Sequence, residues 1–353
     1  MRQFSLVENR VKLVLKDNVL AVLSDAELST VSGAIYNGGF RQTRAIINTE
    51  VPETYGDRRL HEDPIAFIKA SAKKLELPPD FVGMITAAKI KNFSLIKKAK
   101  GDLAVSVVAT AGCSHAESAG EKIAVEEIAG TINVIVVVDG DPTESCLVAA
   151  LATAVEAKAA AMRELDIRSR YTGDSATGTI TDSVVVAATN TGEKVVLGGP
   201  ASELGQLVGS CVRRAVKEAI TNQGECLPCR SVADRLRERH LPVEKLASEL
   251  SKVRSLGIDK ETLTSRLAEI LKDPFAASVV MAAVKLDEDV ERGLVPPELG
   301  EIDVLAKRFG SLFASKPVKK AELEPVNLPP FLRAVLLALL KKAVSGEKTE
   351  SLK

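Results

Sequence analysis

Tryptophan is absent and aromatic residues amount to 3% of the chain. This removes most of the stacking surface on which single-stranded nucleic acid is read. Excess charge of one sign is also missing, because 47 Lys and Arg balance 47 Asp and Glu. No global positive field exists to hold a phosphate backbone, and nucleic acid is not an expected partner. Apolar stretches such as 135–138 and 334–340 fall far short of the roughly 20 residues that cross a bilayer, so no membrane partner is expected either. The opening MRQFSLVENR has no apolar segment followed by a small-residue cleavage site, which makes a cytoplasmic location the expectation. Five cysteines, Cys113, Cys146, Cys211, Cys226 and Cys229, are odd in number and unevenly spaced. Reduced thiols are the simpler reading than a disulfide framework.

What is present is enough apolar material for real cores, 46% of 353 residues, and a length that fits two domains at roughly 150 residues each. Up to about residue 222, β-rich runs alternate with helical ones. The strongest strands are 103–110, 131–139, 183–189 and 194–197, dominated by Val and Ile as in strands buried on both faces. The Ala-rich stretch 147–165 predicts a long helix crossing the sheet. Residues 202–220 predict another, with Ser202 as its cap and Leu204, Leu207, Val208, Cys211, Val212, Ala215, Val216 and Ala219 on one face. Cys211 is thereby expected in the core. Beyond a turn-rich passage only helical patterns follow, broken at Gly257, Pro274, 296–297 and 329–330. The expected architecture is an α/β N-terminal domain with a largely buried sheet, residues 1–222, a linker at 223–245, and a smaller all-α C-terminal domain at 246–353.

Three passages offer chemistry. The first, YTGDSATGTITD (171–182), leads straight into a strand. Small, hydroxylated and acidic side chains with interspersed glycines can wrap a polar substrate. The bland alternative is a Thr-rich connection. Asp182 at its end is a candidate general base or orienting carboxylate. The second, TAGCSH (110–115), follows a strand end and combines a thiol, a hydroxyl and an imidazole. His115 is expected to contact substrate or metal, since Ser114 and Glu117 nearby are polar. The third is Asn133, a polar residue inside an apolar strand, which serves either as a structural tie or as an oxyanion donor. On the long helix Glu156 and Lys158 stand two residues apart and point in different directions, and periodicity does not say which one reaches the site. The Cys226–Cys229 spacing lacks a second CxxC or a His pair and reads best as a turn. His61 and His240 lie in charged surroundings and read as surface.

TAGCSHAESAGE (110–121), AGTINVIVVVD (129–139), 152–187 and ELGQLVGSCVRRAVKEA (203–219), in this order and spacing, resemble the adenosylcobinamide amidohydrolase family. Weaker similarity runs through 32–51, 63–64 and 82–88. The resemblance implies an α/β enzyme of corrinoid salvage. Such enzymes hydrolyse the amide between the aminopropanol arm and the corrin ring of adenosylcobinamide, releasing adenosylcobyric acid. Carried residue by residue, it implies a site drawn from Asn37, Gly38, Gly39, Asn48, Asp63, Thr110, Gly112, Ser114, Asn133, Glu156, Lys158, Thr177, Gly178, Thr179, Thr181 and Asp182. The chain departs from the family in having His115 where Asn is common, and in reading Gly198-Gly-Pro200 where a His commonly follows paired small residues.

The segments 256–263, 273–299, 303–317 and 328–346 resemble, more faintly, archaeal α-ribazole-phosphate phosphatases and phosphatidylglycerophosphatase A. Together the two likenesses match the archaeal bifunctional arrangement, with α-ribazole 5′-phosphate as second substrate and Mg²⁺ as the metal a phosphatase would need. Lys307-Arg308 and Arg333-Ala334 stand where those relatives usually carry acidic pairs. Asp287, Glu288, Asp289, Glu291 and Asp303 are the remaining candidate metal ligands, and a solvated acidic face is the alternative. For the amidohydrolase the expected roles are Asp182 or Glu156 as base toward water, and Asn133 with the 177–179 backbone as oxyanion donors. His115 or Lys158 would be the acid for the amine, and a hydroxyl nucleophile from Thr179, Thr181 or Ser114 is the chemical alternative. Rival readings are an amidohydrolase with a degenerate C-terminal region, a non-catalytic corrinoid binder, and a homo-oligomer built on the apolar 331–340 segment.

Overall fold

The computed structural model describes residues 1–52, 63–77, 79–122, 130–224, 229–295, 301–314 and 317–344. Contacts divide the chain into two units, Met1–Cys229 and Arg230–Lys353.

The first unit opens with antiparallel strands β1 (Arg2–Val7), β2 (Val11–Lys16), β3 (Val19–Ser32) and β4 (Gly39–Glu50). Asp17 and Asn18 join β2 to β3 with φ of 51° and 60°. Two successive positive φ values make the hairpin turn whose twist matches the strands, and Asp and Asn tolerate it best after glycine. Helix α1 (Pro64–Lys74) precedes β5 (Val82–Thr86), which pairs parallel with β4. Next come β6 (Ser94–Lys100), β7 (Leu103–Ala111), β8 (Ala116–Glu117), β9 (Ile132–Asp139), β10 (Asp141–Pro142) and helix α2 (Glu144–Glu164). The unit is completed by β11 (Gly178–Thr179), β12 (Ser183–Ala188), β13 (Lys194–Val195) and helix α3 (Glu203–Gln223).

The main sheet is mixed and runs β1-β2-β3-β12-β9-β7-β6, with β4 on the free edge of β3 and β5 beyond it. Val134, Val136 and Val138 of β9 face α2 and α3. Ile135 and Val137 pack instead with Leu13, Val22, Ile46 and Met84 of β2 to β5. Strand β9 is therefore covered on both sides, which explains its unbroken Val/Ile run. Each such side chain fully withdrawn from water contributes about 1.5–3 kcal/mol. Ile68 and Ala72 of α1 cover Val19, Ala21, Ala45 and Ile47 on the outer face of β3 and β4.

Helix α2 is capped by Thr143, whose hydroxyl accepts from Cys146 N, and α3 by Ser202, which accepts from Gly205 N. Helix α3 buries the expected face, including Cys211, and stops at Gly224 with φ of 78°. Among the described residues α2 is long and apolar enough, by length and composition, to cross a membrane, yet half of its apolar window is packed inside the protein. None of the four described cysteines is in a disulfide. The run 194–197 is not a strand of the main sheet. Only 194–195 pair, with 141–142, and Val196 and Leu197 are exposed because no further strand lies alongside.

In Arg230–Lys353 every described element is helical: α4 (Val232–Glu238), α5 (Val243–Leu250), α6 (Lys260–Ile270), α7 (Pro274–Glu291), α8 (Ile302–Ser311), α9 (Lys320–Leu323) and α10 (Pro330–Val344). Much of the expected linker 223–245 is folded. Helix α3 reaches Gln223, and α4 and the start of α5 place Leu236 and Val243 in the helical core, with Leu246, Leu332 and Leu336. Cys226 and His61 lie outside the described residues, and Cys229 and His240 are exposed.

Candidate active site

The polar residues of the first unit gather where β7 ends and β9 and β12 begin. At this end of the sheet Asp182 stands immediately before β12. Its Oδ1 accepts from Ile132 N at 2.8 Å and from the Thr179 hydroxyl; its Oδ2 accepts from Thr179 N at 3.0 Å and from Lys158 Nζ. All four lone-pair directions of the carboxylate are thus used. Lys158 comes from the buried side of α2, and the side chains of the pair are only 9% and 11% exposed. Among the described residues Asp182 is the one hydrogen-bond partner of the Lys158 ammonium, so two of its N–H donors are uncommitted.

Gly178 permits this packing. A β-carbon there would meet Asp182 Oδ2 and would lie 2.6 Å from Lys158 Nζ. The hydroxyls of Thr179 and Thr181 also reach Gly130 O, at 3.2 and 3.4 Å, and Thr131 and Thr181 share a hydrogen bond at 2.7 Å. Gly130 in turn abuts Gly112 O, His115 N and the Ser114 hydroxyl. The passages 112–115, 130–132 and 177–182, remote in sequence, therefore form one contiguous surface.

On the opposite face of the same strands lies a buried amide string. Asn133 Nδ2 donates to Asn48 Oδ1 at 2.8 Å and to Ile85 O at 2.7 Å, and Asn48 Nδ2 donates to the Thr110 hydroxyl at 2.9 Å. Both donors of Asn133 are consumed, so it has none for an oxyanion. Its Oδ1 is buried without a hydrogen-bond partner among the described residues.

His115 is 7% exposed. Its Nε2 lies 2.7 Å from Arg170 Nη1, and its Nδ1 lies 3.3 Å from the Ser114 hydroxyl. A guanidinium only donates, which makes Nε2 the acceptor and leaves the proton on Nδ1. Glu156 is exposed on the other side of α2, at a groove of about 490 Å³ shared with Gln206, Gly209 and Arg213 of α3. Thr177 accepts from Ala119 N, which ties the glycine-rich loop to the segment after β8. Asn37 donates to Phe81 O at 2.9 Å. Gly38 packs on the Ala34 backbone, Gly39 turns with φ of 82°, and Asp63 caps α1 by accepting from Ala66 N. Among the described residues none of these four bonds to the Lys158–Asp182 group: Asn37 ties its turn to the residue before β5, and Asp63 caps its own helix.

Two acidic residues that the sequence did not single out for the site belong to this surface. Burial pushes the Glu121 carboxyl up, but hydrogen bonds from the Thr172 and Ser169 hydroxyls and from Ser118 N outweigh it and hold it low. Glu117 in β8 is held high by burial and by the nearby Asp182 and Glu121 charges, with Lys158 opposing them. Its only sequence signal was being a charged residue next to a strand end.

Four of the five candidate metal ligands of the helical unit are engaged elsewhere. Asp287 accepts from Phe331 N and Leu332 N, both at 2.8 Å, at the start of α10, and burial pushes its carboxyl up to about 6. Glu288 bonds Arg239, Asp289 pairs with Lys285, Asp303 pairs with Arg333, and Glu291 is exposed. No three His, Cys, Asp or Glu converge on a point among the described residues. The described residues do not make a Mg²⁺ site.

Residues 5–228 match the family model described as adenosylcobinamide amidohydrolase. A relative from Methanosarcina mazei named adenosylcobinamide amidohydrolase is 29% identical over 220 residues, covering 60% of this chain and 98% of its own. An uncharacterized protein of Methanocaldococcus jannaschii is 28% identical, over 52% of this chain and 80% of its own. Among solved structures, the L-aminopeptidase D-Ala-esterase/amidase of Ochrobactrum anthropi is 9% identical with a TM-score of 0.32, over 60% of this chain and 83% of that one. A β-aminopeptidase of Burkholderia sp. is 12% identical with a TM-score of 0.32, over 61% and 78%. Superposition at that level says nothing of shared chemistry.

Proposed function

The chain belongs to the adenosylcobinamide amidohydrolase family, and on that premise we propose that Met1–Cys229 hydrolyses the aminopropanol amide of adenosylcobinamide to adenosylcobyric acid. The observation that carries this reading is the buried Lys158–Asp182 pair, seated against Gly178 inside the glycine- and threonine-rich segment of the family resemblance. Amide cleavage needs a place for the negative charge that builds on the carbonyl oxygen. The two uncommitted N–H donors of Lys158 supply it, in a setting withdrawn from water where they act strongly. Asp182, Ile132 N and Thr179 fix the ammonium in position.

With all its lone pairs occupied, Asp182 anchors rather than takes a proton from water. Asn133 serves as a structural tie of the sheet end, not as an oxyanion donor. The attacking group in this reading is water. Incubating the full-length chain and a truncation ending at Cys229 with adenosylcobinamide tests it: both should release aminopropanol and adenosylcobyric acid in equal amounts. A shifted corrinoid spectrum without products would make the protein a binder instead.

Dephosphorylation of α-ribazole 5′-phosphate by the helical unit rests on resemblance alone, and the pairing of Asp303 with Arg333 weighs against it. Phosphate release from that substrate, assayed with Mg²⁺ and with chelator, decides it.

A further inference from the structure

Glu117 and Gly178 are register partners in the two-residue antiparallel ladder of β8 and β11, and Thr177 N donates to Glu117 O at 2.9 Å. Directly paired residues of antiparallel strands project to the same face, with β-carbons about 4.5–5.5 Å apart. The β-carbon direction of Gly178 leads to Lys158 Nζ and Asp182 Oδ2. The Glu117 side chain therefore projects to the same side of the ladder as that pair. It is half-buried, and its carboxylate has no hydrogen-bond partner among the described residues. The other carboxylates of the surface are committed, Asp182 to four donors and Glu121 to Ser118, Ser169 and Thr172.

We propose that Glu117 is the proton carrier of this site, taking a proton from the attacking water and delivering it to the departing amine. This rests on the reading that the site cleaves an amide. As the water oxygen bonds to the carbonyl carbon, one water proton passes to Glu117 and the carbonyl π pair moves onto oxygen, facing Lys158. When that pair re-forms the C=O bond, the C–N bond breaks, its electrons stay on nitrogen, and the proton on Glu117 moves there. Carboxylic acid and amine leave, and Glu117 is again a carboxylate. The groups that act on it are Asp182 from the β11–β12 connection, Glu121 following β8, and Lys158 from α2. Partial burial, then the two carboxylates, raise its basicity above that of an ordinary carboxylate, with Lys158 opposing, which is the direction a general base needs.

The test compares wild type, Glu117→Gln and Glu117→Asp on adenosylcobinamide. Glu117→Gln is expected to lower kcat by about 100-fold, the low end for loss of a general acid–base, with KM little changed. The wild-type profile of kcat/KM should fall on the acid side as Glu117 takes up a proton. That limb should vanish in Glu117→Gln and return with partial activity in Glu117→Asp. An active wild type alongside a Glu117→Gln variant with kcat within threefold, or with the acid limb intact, overturns the proposal alone. A wild type inert on adenosylcobinamide removes the substrate reading and this proposal together. An unchanged unfolding midpoint for Glu117→Gln, expected for a side chain without a hydrogen bond, excludes misfolding as the cause of a lost rate.

Discussion

Gly178 stands against Lys158 so closely that a β-carbon on the glycine would lie 2.6 Å from the ammonium nitrogen. The obstructing atoms are the ends of two side chains, Lys158 and Asp182, rather than backbone, so the pair can yield where the fold cannot.

Gly178→Ala should therefore fold with little loss of stability and lose activity, on the order of 100-fold in kcat, as when a preorganised donor is displaced. Circular dichroism and steady-state turnover on adenosylcobinamide measure the two effects separately. Full activity would mean that the pair is not where the charge develops.

Breaking the pair should be expensive. Lys158→Met leaves Asp182 buried with an unmatched charge, and Asp182→Asn does the same to Lys158, each costing about 3–5 kcal/mol. The double variant should be less destabilised than the sum of the two, by 0.5 kcal/mol or more in denaturant unfolding. Strict additivity would show that the two side chains do not depend on each other.

Thr179 is expected to anchor Asp182 and not to attack the substrate. Thr179→Val leaves one Asp182 lone pair without its hydroxyl donor, a loss of roughly 1–3 kcal/mol, yet it should retain measurable turnover. Rapid-quench mass spectrometry of the wild type should find no corrinoid acyl adduct. An adduct on Thr179 would replace activated water by a covalent mechanism.

In the helical unit, Asp287 titrates near 6 against an ordinary 3.8. The raised folded value means that its protonated form is favoured by folding. That contribution is present below about pH 4 and is lost as pH climbs through 6, by roughly 3 kcal/mol. The stability difference between wild type and Asp287→Asn, from urea unfolding, should shrink by that amount between pH 4 and pH 7.5. A difference that does not change with pH would contradict the burial argument.

Much of the fold was legible in the residues. The Val/Ile runs of β7, β9 and β12 and the apolar stripe of α3 with its Ser202 cap depend on local chemistry that any tertiary context must accommodate. The run 194–197 read as a strand for the same reason, but a strand also needs a partner, and only 141–142 lie beside it. The Asp17-Asn18 hairpin carried a local signal too, because few residues accept two positive φ values in succession.

The sequence alone determined which kinds of group are available at the site: the hydroxyls of 177–181, the Asp182 carboxylate, and two charged residues on an Ala-rich helix. Only tertiary structure decided between Glu156 and Lys158, since alanine packs equally well on either side of α2 and leaves the helix rotation to the sheet beneath it. Chain spacing could not foretell that Glu117 would pair with Gly178 across 61 residues. Nor could it tell that Arg239 and Arg333 would engage Glu288 and Asp303, whereas Lys285 and Asp289, four apart on α7, share a face by spacing alone. Helical spacing sets which side chains share a face, while the charge that meets them arrives from elsewhere in the chain.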